Sequence, residues 1–88
     1  MTYKVIYSED AIKTLNKMDT TTSEMITSWV DKNLYRTDDP RRHGKALKGR
    51  FAGTWRYRVG DYRLFARIED DRLIIFILEV RNRRSAYR

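Results

Sequence analysis

Residues 54–68, TWRYRVGDYRLFARI, constrain the fold more than any other part of the chain. Trp55, Tyr57 and Val59 alternate with Arg56 and Arg58. Beyond Gly60-Asp61, Leu64, Ala66 and Ile68 alternate with Arg63, Phe65 and Arg67. A period of two is that of a strand with one face buried. Glycine first in a two-residue turn suits a type II′ hairpin. With Gly60-Asp61 as the loop, Val59 pairs with Tyr62, Arg58 with Arg63, Tyr57 with Leu64 and Arg56 with Phe65. Directly opposed residues share a face. Arg56, Arg58, Arg63, Phe65 and Arg67 therefore share one face, and the apolar set takes the other. Arg58 opposite Arg63 sets like charge against like, which destabilises a sheet. Folding alone gives no reason for that pairing. A polyanion does, because guanidinium groups make charge-assisted, often bidentate, bonds to phosphate.

The remaining elements supply a cover for the apolar face. TYKVIY reads as a first strand. Ser8 before Glu9 and Asp10 is a helix N-cap with an acidic first turn, and Ala11, Ile12, Leu15 and Met18 follow at helical spacing, which predicts a helix over 9–18. Thr21 with Glu24 has capping-box spacing, and Met25, Ile26, Trp29, Val30 and Leu34 form a stripe, which predicts a second helix over 22–35. Asp38-Asp39-Pro40 ends it. RRHGKALKGRFAG reads as a glycine-punctuated basic loop with room for one helical turn. RLIIFILEV is apolar on both faces, as a central strand should be. A two-residue loop at Asp70-Asp71 sets Phe65 opposite Phe76, and it sends Glu79 to the helix face as a structural ion-pair residue. The fold class is α+β: one domain over 1–88 in the order β-α-α-β-β-β, an antiparallel-rich sheet with two helices on one face.

Composition narrows the function classes. The absence of cysteine excludes disulfides and a thiolate nucleophile, and a single histidine excludes the usual zinc sites. No apolar run approaches a membrane span and no signal peptide is visible, so the reading is cytoplasmic, with no membrane partner. The net charge of +7 is segregated: residues 1–40 carry −2 and residues 41–88 carry +9. A basic half of that kind favours polyanions.

Leu47-Lys48-Gly49, then the aromatic-rich strand, then Gly60-Asp61-Tyr62-Arg63, then an apolar strand and an arginine tail with Tyr87 near its end resemble the RelE toxins of the RelE/ParE superfamily. The resemblance covers nearly the whole chain. It implies a type II toxin–antitoxin toxin: a ribosome-dependent endoribonuclease that cuts mRNA in the ribosomal A site, without metal or cofactor. It implies Arg56, Arg58, Arg63, Arg83 and Tyr87 as catalytic. Lys48, Arg67, Arg81 and Arg84 are expected to bind RNA, and Phe65, interleaved with arginines, suits base stacking and an apolar partner helix equally. Its implied partners are an acidic RelB-like antitoxin, mRNA and ribosomal RNA, and operator DNA only through the antitoxin complex. Arg63 and Arg83 are expected at the surface, where replacement leaves stability intact.

Two departures from the family pattern stand out. Some members have lysine where Arg56 and Arg58 stand, and many have glycine followed by histidine or lysine where Arg81-Asn82 stands. Lysine can be tuned into a base, whereas arginine stays protonated. The general base is therefore unassigned, and His43 is read as non-catalytic. The alternative reading is a ParE-like toxin that inhibits DNA gyrase by binding. A plain nucleic-acid-binding module is a third.

Overall fold

The computed structural model describes residues 1–83; Arg84 and Tyr87 lie outside the described residues. The chain runs β1 (Lys4–Tyr7), α1 (Glu9–Lys17), α2 (Thr20–Asn33), β2 (Lys45–Ala46), a single 3₁₀ turn (Gly49–Phe51), β3 (Trp55–Val59), β4 (Tyr62–Glu69) and β5 (Ile74–Asn82). The strands form one mixed sheet in the order β1-β5-β4-β3-β2, with β1 parallel to β5 and the other pairs antiparallel. The α+β expectation holds, with one addition. β2 closes the sheet inside the segment expected to be loop. It is two residues long and exposed on both, so it carries no hydrophobic signal.

The hairpin register is the one the alternation predicts, from Trp55 opposite Ala66 to Val59 opposite Tyr62. Gly60 takes φ +58°, and Asp61 is not among the non-glycine residues with positive φ, as a type II′ turn requires. The apolar face packs against the helices. Ala11, Leu15, Ile26, Val30 and Leu34 meet Tyr57, Val59, Leu64, Ala66, Ile75, Ile77 and Val80 in one buried cluster. No described helix is long and apolar enough to cross a membrane.

The second helix begins two residues earlier than expected, and its cap is Asp19 rather than Thr21. The Asp19 carboxylate accepts from the Thr22 amide at 3.0 Å and the Thr22 hydroxyl at 2.7 Å. Those bonds hold its pKa below the usual carboxylate value. A charged acceptor at the positive end of a helix outcompetes a hydroxyl.

The larger difference is in β5. The β4–β5 connection is four residues, not two, because Glu69 pairs with Ile74. The register then shifts: Ala66 pairs with Ile77, but Phe65 pairs with Glu79, which leaves Leu78 as the extra residue of a β-bulge. Phe65 therefore faces Glu79 instead of Phe76, and Phe76 faces Arg67. Glu79 stands on the arginine face, not the helix face.

Unbroken alternation from Ile75 and Ile77 would send Glu79 into the core. Burying a carboxylate there costs several kcal/mol, while burying a valine gains about 1.5–3. The bulge delivers Val80, 4% exposed, to the core in its place. Its carbonyl is not orphaned, since the Ser8 hydroxyl donates to Leu78 O at 2.6 Å. The same Ser8 oxygen caps α1 by accepting from the Ala11 amide at 3.0 Å, and the Ser8 amide donates to Ile77 O.

Candidate RNA-facing cleft

The face away from the helices is a set of cross-strand rows. Lys45, Arg56, Phe65 and Glu79 stand in one row across β2-β3-β4-β5. Arg58, Arg63 and Arg81 stand in the next, across β3-β4-β5. Arg56, Phe65 and Glu79 of the first row and Arg63 and Arg81 of the second floor a cleft of about 580 Å³. Ser8 and Asp10 at the start of α1 form one wall, and Leu47, Phe51 and Thr54 form the other. The walls are why the arginine face is concave rather than an open plane.

Arg56, Arg63, Phe65 and Arg81 line this cleft together with Glu79. Arg56 and Phe65 are half-buried and Arg81 is exposed. Arg63 is 5% exposed. It is therefore not the surface residue expected, and Arg63→Ala would empty buried space. Glu79 accepts from Arg81 Nε at 3.2 Å and Nη2 at 3.1 Å.

Arg58 is placed elsewhere. It lines a second cleft of about 330 Å³ at the β3 edge, with Trp29, His43, Gly44, Lys45 and Arg56. Arg56 is common to both clefts. Three contacts hold the loop that walls this second cleft. Tyr57 donates to Pro40 O at 2.6 Å, Trp55 Nε1 donates to His43 O at 2.7 Å, and Gly44 lies so close that an added Cβ would sit 2.2 Å from Arg56 O. Burial raises the Tyr57 phenol above its ordinary pKa. The His43 ring packs edge-on against Trp29, with centroids 5.7 Å apart.

The other expected site residues, Arg83 of the catalytic set among them, are dispersed. Arg67 lies over the Phe76 ring, 5.4 Å from its centroid. Lys48 is exposed and precedes the 3₁₀ turn. Arg83 is exposed, and its amide donates to Asp61 O at 2.7 Å, tying the end of β5 to the hairpin turn. Among the described residues, no three His, Asp or Glu side chains gather as a metal site.

The residues that sequence reasoning missed are Glu79 on the cleft floor and Ser8 in its wall. The core set of Ile75, Ile77 and Val80 breaks parity, and only a bulge permits that, but a strand apolar on both faces does not reveal that set from sequence.

A small mixed sheet with two helices on one face and a guanidinium-lined cleft on the other describes a compact anion-facing protein. Residues 5–87 match the family described as ParE toxin of type II toxin-antitoxin system, parDE. Toxin RelG of Mycobacterium tuberculosis is 34% identical over 88 residues, spanning 100% of this chain and 99% of that protein. The toxin–antitoxin complex RelBE2 from the same organism superposes with a TM-score of 0.85 at 32% identity, covering 94% of this chain and 100% of that one. The archaeal RelE–RelB complex from Pyrococcus horikoshii gives 0.72 at 26% identity, covering 94% and 97%. The chain belongs to the RelE/ParE superfamily of type II toxin–antitoxin toxins.

Proposed function

We propose that this toxin is an endoribonuclease that cuts mRNA in the ribosomal A site and so inhibits translation in the cytoplasm. The observation that carries the reading is the convergence of the Arg56, Arg63 and Arg81 side chains on one cleft beside Phe65. Cleavage of RNA through its own 2′-hydroxyl builds negative charge on a phosphorane. Preorganised guanidinium groups stabilise that charge, and an aromatic side chain among them suits base stacking. The ribosome orients the 2′-oxygen for in-line attack. Arg58 and Arg83 extend the positive field, Lys48, Arg67 and Arg84 bind flanking RNA, and Tyr87 completes the site by stacking or proton transfer. The chemistry needs no metal.

The solved toxin–antitoxin relatives support a RelB-like antitoxin as partner, and the net charge of +7 calls for an acidic one. Operator DNA is reached only through that complex. The family description names ParE, so inhibition of DNA gyrase by binding is the second reading.

The test is single-turnover cleavage of mRNA on programmed ribosomes, with gyrase supercoiling measured in parallel. The natural protein should cut within the A-site codon. Arg58→Ala and Arg83→Ala, both exposed, should fold normally and lose at least about tenfold in rate, roughly 1.4 kcal/mol of barrier. Intact mRNA with inhibited gyrase would replace this reading with the second.

A further inference from the structure

The proposed ribonuclease reaction lacks a proton acceptor among its arginines, and this inference rests on that reaction. Guanidinium is protonated throughout the working pH range of an enzyme. His43 lies in the second cleft with its ring against Trp29. The arginine cleft nevertheless holds a carboxylate that the floor of the sheet presents directly.

We propose that Glu79 is a catalytic residue that accepts the 2′-hydroxyl proton of the RNA. Three features carry this. The β-bulge turns Glu79 out of the core and opposite Phe65, beside the Arg58-Arg63-Arg81 row. Ser8 pins the bulge through the Leu78 carbonyl, so the carboxylate's origin is fixed by two elements, β5 and the start of α1. Arg81 fixes the carboxylate's direction through two contacts, at 3.2 and 3.1 Å.

A phosphate drawn to Arg63 and Arg81 brings its neighbouring ribose within the same cleft as Glu79. The charged groups facing Glu79 are Arg56 and Arg63 from the sheet, Arg81 on its own strand, and Asp10, Lys13 and Lys17 from α1. Asp10 is the competing carboxylate. It is exposed, in the first turn of α1 at the cleft wall, while Glu79 rises from the floor between the arginines.

The step balances without a further reactant. The 2′-O–H bond breaks and its proton passes to a Glu79 oxygen. The 2′-oxygen bonds to the adjacent phosphorus, and the P–O5′ bond breaks. The departing 5′-oxygen takes a proton from water, and Glu79 returns its proton to solvent. The products are a 2′,3′-cyclic phosphate and a 5′-hydroxyl end.

The experiment is single-turnover cleavage on programmed ribosomes at neutral pH, with folding followed by circular dichroism. Loss of a general base typically costs 10²–10⁴-fold. Glu79→Gln should therefore fold normally and cut at least about 100-fold more slowly. Glu79→Asp, which keeps the carboxylate on a shorter arm, should be slower than the natural protein yet faster than Glu79→Gln. The proposal is overturned if Glu79→Gln cleaves at the natural rate, or if Asp10→Asn rather than Glu79→Gln produces the loss. Either result leaves the ribonuclease reading intact. A natural protein that cuts nothing on ribosomes removes both.

Discussion

Asp70 illustrates how single residues stabilise this fold at its rim. Its carboxylate accepts from Arg41 Nη1 at 2.9 Å and Nη2 at 3.0 Å, and from the Tyr3 hydroxyl at 2.5 Å. Arg41 first, then Tyr3, lowers its pKa from 3.8 to about 2. A depressed carboxylate stabilises the folded state fully above its unfolded pKa, and the contribution disappears as pH falls through the folded value. The window is thus from about pH 4 down to 2. Both partners are about half exposed, so screening keeps the effect small. Asp70→Asn should lower the melting temperature by roughly a few degrees at pH 6 and by only a small part of that near pH 2. Calorimetry of both proteins across that range checks this; a difference undiminished at pH 2 would assign the effect to packing. None of this was legible in the sequence, where Asp70 reads only as a turn residue. The Arg58–Arg63 opposition was legible, because it follows from parity about one glycine turn.

At the scale of elements, the junction of β1, α1 and the β5 bulge is the decisive one. Ser8 makes three hydrogen bonds there: its amide to Ile77 O, its hydroxyl to Leu78 O, and the Ala11 amide to its side-chain oxygen. Ser8→Ala removes the last two. A lost N-cap costs about 0.5–2 kcal/mol and a lost hydrogen bond about 1 more, so the expected loss is about 1–3 kcal/mol. Denaturant titration measures it. Hydrogen exchange should speed at residues 78–80 and in the first turn of α1, while the β3–β4 amides keep their protection. A loss under about 0.5 kcal/mol would mean the bulge is held by the core alone. The cap itself was legible from Ser8-Glu9-Asp10. The bulge was not, because strict alternation is the default for a strand, and the cost of a buried glutamate is felt only once helices cover the other face. β2 was illegible for the opposite reason: an exposed two-residue strand needs no apolar pattern, only Gly44 with φ +86° to bring its backbone against Arg56.

For the whole molecule, what matters is where its charge is committed. The order of the long elements and the two-faced sheet follow from hydrophobic periodicity, so they were legible. The depth of the cleft depends on walls from α1 and the 47–54 segment, so it was not. Residues 41–88 hold 14 Lys or Arg and 5 Asp or Glu, a net of +9, and four of those cations make local ion pairs. Arg41 pairs with Asp70, Arg42 with Asp38 and Asp39, Arg72 with Glu69, and Arg81 with Glu79. Three of these four lie away from the cleft rows. The long-range field therefore favours any polyanion, while the contacts made on arrival are set by the rows of Arg56, Arg58, Arg63 and Arg81. Each phosphate neutralised on a single strand releases counterions and contributes about −0.7 to the slope of log K against log salt. Four contacts predict a slope of about −3 for a short single-stranded RNA, measured by fluorescence titration between about 50 and 200 mM salt. Arg58→Ala should flatten it by about 0.7, without changing the ranking of RNA sequences, because phosphate contacts carry no base information. A slope near zero would exclude the cleft as a phosphate-binding site. A slope near −6, about nine phosphate contacts, would mean that RNA engages basic residues well beyond these rows.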